Sequence, residues 1–289
     1  MTIKILSDSA CDLSKDIIEK YNIEILPIVV INDDKEYLDN VTIMPEKVYE
    51  DMKNGQVYKT AQIPPNVFKD KFIEYAKNGD SVIYIGFSSQ LSGTYQTSLV
   101  IKESIIDEYP NLDLDIVDTK AASGGFGLIV LQAAKLAKEG KTKEEILKAI
   151  EFYKDNMEHI FTVDDIEYLF RGGRVSRMQA FVGGLLNIKP VLHVEDGKLI
   201  PLGKVRGRHK VFKTMLDIME KRTKDADLKE QIICITHGDD LEGALKLKEL
   251  IIERFGAKTF IINTIGAAIG AHSGPGTIAL FFLGENYKG

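Results

Sequence analysis

The stretch that most constrains this chain is a short apolar run followed at once by a polar, hydroxyl-rich one. Val82-Ile83-Tyr84-Ile85-Gly86-Phe87 is bounded by Asp80 on one side and by Ser88-Ser89-Gln90-Leu91-Ser92-Gly93-Thr94-Tyr95-Gln96 on the other. An apolar run of this length between turn-forming residues reads as a buried strand, and residues 97–106 suit a helix. The polar stretch is then a strand-to-helix turn. It sets hydroxyls and Gly93 where the first backbone N–H groups of a helix have no internal partner. Those free N–H groups and the helix dipole favour negative charge. Ser92 and Thr94 add hydroxyl donors, and Gly93 lets a ligand approach the backbone closely. A Ser or Thr here also makes an ordinary helix cap, so the stretch alone predicts either a cap or an anion site.

The same strand–turn–helix unit recurs. Ile3-Lys4-Ile5-Leu6 predicts a strand, Ser7-Asp8-Ser9-Ala10-Cys11-Asp12 a polar turn, and 15–21 a helix capped by Asp12 or Ser14. Ser7, Asp8 and Ser9 could face a ligand, but Ser and Asp are turn formers in any case, and turn-holding is the reading kept. A strand over 25–31 and a hairpin through Asn32-Asp33-Asp34 follow, then a helix over 45–52 with Pro45 in its first turn. Thr60-Ala61-Gln62-Ile63-Pro64-Pro65 is held extended, because residues before proline avoid helical angles. It serves as a rigid rim beside a pocket or as a plain loop. After a helix over 66–77 and a strand over 112–117, Ala122-Ser123-Gly124-Gly125-Phe126-Gly127 leads into a helix over 128–138 without the Gly-x-Gly-x-x-Gly spacing of a dinucleotide turn. Thr142 and Glu145 form a capping box for the next helix. Strands alternating with helices predict a Rossmann-like α/β layer with a largely parallel sheet over residues 1–157.

The pattern changes near His159. A short helix over 165–170 ends at Gly172-Gly173, and an apolar run over 181–188 carries Gly183-Gly184. A hairpin over 192–200 turns at Asp196-Gly197. The basic stretch Lys204-Val205-Arg206-Gly207-Arg208 precedes a helix over 211–221. A strand over 232–236, a helix over 241–255 begun by Asp239-Asp240, a strand over 259–264, a rigid turn at Ala271-His272-Ser273-Gly274-Pro275-Gly276 and a strand over 277–283 complete the chain. Residues 158–289 therefore read as a second, α+β domain.

Several function classes are excluded. A net charge of -6 argues against a general nucleic-acid surface. Two distant cysteines, Cys11 and Cys234, without a Cys-x-x-Cys partner predict reduced thiols and a cytoplasmic protein. No signal-peptide pattern opens the sequence, and no apolar stretch reaches the ~18 residues of a membrane helix. There is no P-loop and no Gly-x-Ser-x-Gly elbow. The five histidines are scattered without i, i+4 pairing, so no metal site is expected. What remains is a set of hydroxyls, an imidazole at His272 held by glycine and proline, and two cations, Arg174 and Arg206. That set suits a carboxylate or phosphate head. Residues 126–131 and 181–188 either line an apolar tunnel or belong to the core.

Several motifs, in order along essentially the whole chain, resemble the DegV family of bacterial fatty-acid-binding proteins. They are Ser7-Asp8-Ser9 with Asp12-Leu13, Thr60-x-Gln62, Leu91-Ser92-Gly93-Thr94-Tyr95-Gln96, Gly172-Gly173-Arg174, Lys189-Pro190, Lys204-x-Arg206-Gly207 and His272-x-Gly274-Pro275-Gly276. One departure is visible: the family usually has Thr-Ser-Gln-Pro where this chain has Thr60-Ala61-Gln62-Ile63, with proline delayed to Pro64. The resemblance implies an N-terminal α/β and a C-terminal α+β domain with one long-chain fatty acid between them, and no cofactor. By motif match, Thr60, Ser92 and His272 would bind the carboxylate, supported by Gln62, Ser89, Gly93, Thr94, Ser273 and Gly274. Arg174 and Arg206 would meet a partner, a separate fatty-acid kinase that phosphorylates the bound acid. The chain would be a carrier rather than an enzyme, with transient membrane contact left open. The alternative is a small-molecule hydrolase or phosphotransferase using Ser92 and His272; a lipid-responsive regulator is a third reading.

Overall fold

A computed structural model describes residues 3–175, 188–224 and 226–284. In chain order the first part comprises β1 (Lys4–Asp8), α1 (Lys15–Tyr21), β2 (Ile23–Leu26), β3 (Val29–Asn32), β4 (Lys35–Leu38), α2 (Pro45–Lys53), β5 (Tyr58–Ala61), α3 (Pro65–Asn78), β6 (Ser81–Gly86), α4 (Thr94–Ile105), β7 (Asp113–Asp118), α5 (Ser123–Lys138) and α6 (Lys143–Asn156). The second comprises β8 (Met157–Thr162), α7 (Glu167–Arg171), β9 (Ile188–Glu195), β10 (Lys198–Arg206), α8 (Arg208–Arg222), β11 (Ile232–His237), α9 (Leu241–Phe255), β12 (Thr259–Thr264), α10 (Ala267–Ser273) and β13 (Ile278–Leu283).

Every residue of β6 is buried, the mark of a parallel strand covered on both faces. It sits inside a parallel sheet of order β2-β1-β6-β7. A small antiparallel sheet, β4-β3-β5, stands beside it. The second half forms a mixed sheet of order β10-β9-β8-β13-β11-β12, in which β11 and β12 run parallel and the other pairs antiparallel. The α/β and α+β classes read from the two halves of the sequence are the ones observed.

Three local expectations are corrected. The strand expected over 25–31 is two strands in different sheets, β2 and β3. Pro27 lies between them, and it has no N–H with which to continue a ladder. The glycines at 124, 125 and 127 do not precede α5 but form its first turns. The rigid turn expected from Ala271 is the end of a helix, α10, which carries His272 in its last turn and stops at Gly274 with φ of 78°. The small residues of α10 let it sink into the core of the first half, where Ala267, Ala268 and Ala271 are buried beside Val48, Tyr49 and Ile63.

Helix α5 is the shared spine. It packs on β1 on one side and on β8, β11 and β13 on the other. The approach to the mixed sheet is possible only because Gly124 and Gly125 have no side chain. A Cβ at Gly124 would lie 2.5 Å from Cys234 Sγ and 2.9 Å from the Phe281 ring; one at Gly125 would lie 2.5 Å from His159 Nε2. Alanine favours a helix interior over glycine by about 1 kcal/mol, yet overpacking of this kind costs about 1–3 kcal/mol. Gly124→Ala should therefore lower the denaturant midpoint. Equal or greater stability in urea titration would show that the helix–sheet spacing is not limited at this position.

Candidate functional site

A cavity of about 240 Å³ lies between the two halves, many times the roughly 10–15 Å³ that a single water needs. Its walls are mostly apolar. Ile28, Phe87 and Leu91 come from the first half, and Phe161, Leu199 and Phe281 from the second. Its polar lining includes Thr60, Ser92, Arg174 and His272, from four separate segments.

Thr60 stands on β5, opposite Val30 of β3, and its hydroxyl lies 2.7 Å from His272 Nε2. Gly172 makes room for the imidazole, since a Cβ there would lie 2.2 Å from Nδ1. Nδ1 is buried and has no hydrogen-bond partner among the described residues. Burial first, then the charge of Arg174, pushes the pKa of His272 down to about 4. The ring is therefore neutral near pH 7 and carries one N–H. No carboxylate stands on Nδ1, so a Ser–His–acid triad is not assembled on this ring among the described residues.

Ser92 resolves the choice between cap and site by doing some of each. The N-cap of α4 is Gly93, with no side-chain cap bond. Ser92 Oγ accepts from the Thr94 N–H at 3.3 Å and pairs with Thr94 Oγ1 at 2.9 Å, while still lining the cavity. Thr94 is buried off the cavity wall and its Oγ1 accepts from the Ile63 N–H at 3.5 Å, which ties the Thr60–Ile63 segment to the start of α4. Gln62 lies over Gly93, where a Cβ would come within 2.3 Å of Oε1.

The remaining expected residues divide. Ser273 lines the cavity with a buried hydroxyl that lacks a partner among the described residues. Gly274 lies behind it, its carbonyl accepting from Thr277 Oγ1 at 2.9 Å. Ser89 is engaged elsewhere: its N–H donates to Asp118 and its hydroxyl accepts from Lys120. Arg174, expected on a partner-facing surface, is half-buried in the cavity wall. Its Nε donates to the Leu91 carbonyl at 3.1 Å and its Nη1 to the Gly172 carbonyl at 2.5 Å. It also borders an adjoining opening of about 290 Å³ that carries Lys59 and Arg171. Arg206 is exposed on β10 and is not part of the cavity lining. Residues 126–131 are buried in α5 as core, and of the run over 181–188 all but Ile188 lies outside the described residues.

Ser7, Asp8 and Ser9 hold their turn. Ser7 donates to the Ile85 carbonyl; Asp8 accepts from Ala10, Phe87 and the Tyr84 hydroxyl; Ser9 accepts from Ile28. His159, which sequence reasoning did not single out, stands on the cavity wall. Its Nε2 accepts from the Ala122 N–H, its ring stands edge-on to Phe281, and burial pushes its pKa down to about 4. Its position on a strand directly after a helix held no signal for this.

A family model described as an uncharacterised protein of the DegV family matches residues 2–285. The chain belongs to the DegV family. It is 42% identical to a DegV domain-containing protein of Clostridium perfringens over 284 residues, 97% of each chain. Among solved structures it resembles a fatty-acid-binding DegV protein of Thermus thermophilus, with 29% identity, a TM-score of 0.88 and coverage of 98% of this chain and 100% of that one. It also resembles a stearic-acid-binding protein of Eubacterium ventriosum, with 26% identity, a TM-score of 0.89 and 98% of each chain covered. Among the described residues no helix is long and apolar enough to cross a membrane, and no group of three or more His, Cys, Asp or Glu could hold a metal ion.

The seat under His272 can be tested directly. Gly172 has a backbone that alanine adopts freely, with φ of -70°, so Gly172→Ala should fold normally while its methyl displaces the imidazole. The expected outcome is a changed His272 signal in ring-nitrogen NMR without loss of thermal stability. An unaltered His272 signal would show that the ring does not depend on this contact.

Proposed function

We propose that this chain binds one long-chain fatty acid without covalent attachment, between its 1–157 and 158–289 halves, and works as a carrier rather than an enzyme. The observation that supports this most is the form of the cavity. An apolar chamber between the two halves has among its polar lining Thr60, Ser92, neutral His272 and Arg174. Each buried methylene contributes about 0.8 kcal/mol, so a chain of ten offers roughly 8 kcal/mol. A carboxylate taken out of water with that chain needs donors, because an unpaired buried charge is very costly. The hydroxyls, the single imidazole N–H and the guanidinium supply them, and charge-assisted bonds of this kind are the strong ones. The fatty-acid-binding relatives support the same ligand class.

The bound carboxylate would be presented to a separate fatty-acid kinase in the cytoplasm, with Arg206 on the surface that meets it and Arg174 at the mouth. The exposure of Arg206 supports its share of that role, and the opening beside Arg174 supports access to the head of the ligand from outside.

Native mass spectrometry of the freshly purified protein, followed by analysis of an organic extract, should find a fatty acid at one per chain. An empty protein that also fails to take up added fatty acid would overturn the carrier reading. Ser92→Ala should fold normally but bind fatty acid about tenfold or more weakly, since hydrogen bonds to charged groups are worth about 1.5–3 kcal/mol. Undiminished binding of a radiolabelled fatty acid would remove Ser92 from the site. Arg206→Ala should leave lipid binding intact and slow kinase-coupled phosphorylation of the bound acid. Equal loss of both activities would contradict a purely partner-facing role.

A further inference from the structure

The helix that carries His272 is short and is held from the other half of the chain. Helix α10 has seven residues, a length at which a helix is not stable by itself in water. Its first N–H groups have no partners within the helix. Two buried carboxylates of the first half take them: Asp12 Oδ1 accepts from the Gly266 N–H at 2.8 Å, and Asp39 Oδ1 from the Ala267 N–H at 2.9 Å. Both residues are almost fully buried, at 4% and 1% exposure. Neither forms an ion pair among the described residues. Their partners are hydroxyl, amide and backbone groups: Ser123 Oγ donates to Asp12 Oδ2 at 2.5 Å, and Asn40 Nδ2 to Asp39 Oδ1 at 3.2 Å. An acidic group in that place complements the positive end of the helix dipole. Gly266 is what lets the two carboxylates close in, since a Cβ there would lie 2.9 Å from Asp12 Oδ1 and 3.3 Å from Asp39 Oδ1. The opposite end of the same helix presents Nε2 of His272 to Thr60.

We propose that Asp39, together with Asp12, is a positioning residue of the ligand site: by clamping the first N–H groups of α10, it sets the position of the helix along its axis and so holds His272 against Thr60. Neither residue lines the cavity. The pair's effect travels along one rigid element of about 1.5 Å per residue, five residues from Ala267 to His272. A shift of that helix by 1 Å would lengthen or misalign the 2.7 Å contact, and along the bond direction would take it beyond hydrogen-bond range. Two buried carboxyl groups without cations are an expensive way to cap a seven-residue helix, since each must be either desolvated as a charge or held protonated. The expense is accounted for if the helix must be registered, not merely formed. The other half of the clamp is the Tyr49 hydroxyl, which donates to the Ile265 carbonyl at 3.0 Å just before the helix.

This rests on the carboxylate-binding reading of Thr60 and His272, and the test separates the two. The full-length protein is compared with Asp39→Ala and Asp39→Asn in binding a long-chain fatty acid and the fatty alcohol of the same length, and His272 is followed by ring-nitrogen NMR without ligand. Asp39→Ala should move the His272 signal and weaken the acid at least tenfold while changing the alcohol less than twofold. Asp39→Asn, which retains an acceptor for the Ala267 N–H, should keep the wild-type His272 signal and recover most of the acid's preference. If Asp39→Ala does not fold, Asp39→Glu takes its place, its added methylene displacing the acceptor. An unmoved His272 signal, or acid and alcohol weakened alike, would overturn the positioning role. A moved signal in a protein whose wild type does not prefer acid to alcohol upholds the positioning role and overturns the carboxylate reading instead.

Discussion

One buried carboxyl group ties the two halves of this protein together. Asp12 follows the turn after β1, yet its side chain reaches Ser123 at the start of α5 and the Gly266 N–H at the start of α10, while its carbonyl accepts from Asn263 at the end of β12. Burial pushes its pKa up to about 8, against the lowering effect of the Ser123 and Gly266 bonds. Asp8 and Asp39 are raised to about 7 and 6, chiefly by burial as well, and with Asp12 they make an acidic cluster inside the protein. Hydrogen bonds to both oxygens of Asp12 offset the cost of burying it. Satisfying Asp12 demands that α5, β12 and α10 arrive at one point, and that point lies behind the cavity.

The second constraint is steric. α5 serves two sheets at once, and it can do so because its first turns carry glycine against Cys234, Phe281 and His159. The cavity is the space left beside this contact, which is why its wall includes Ser123 and Phe281. Its polar lining repeats the logic on a smaller scale: Gly172 seats His272, and Gly93 lies beneath Gln62. Glycine here is used for the close approach of side chains, and at Gly172 and Gly93 φ is negative, so conformational freedom is not the reason.

Much of this was legible in the residues. The turn at Ser92 follows from an apolar run meeting hydroxyls and glycine, and His272 stands out by its glycine–proline surroundings, while the prolines after Thr60 fix an extended form without choosing between a rim and a plain loop. What misled was local reading of residues whose role is distant. The segment over 271–276 was read as a turn because glycine and proline punctuate it, whereas burial of Ala267, Ala268 and Ala271 in the other half's core makes its first part helical. The resemblance implies a partner-facing Arg174 but not what holds it: its bonds to the Leu91 and Gly172 carbonyls join positions 83 and 2 away. Asp39 carried no signal at all, its partner Ala267 being 228 positions distant.

By itself, then, the sequence determined the two fold classes, the strand-to-helix turn that faces the cavity, and the kinds of donor available to an anion. Periodicity, turn chemistry and capping are local, and they act over a few residues whatever the rest of the chain does. Only the tertiary structure decided which donors meet, that His272 is neutral, and that it sits on a helix anchored by Asp12 and Asp39. Those outcomes depend on burial and on contacts across hundreds of positions, where the cost of an unsatisfied buried polar group, rather than any local preference, chooses the partner.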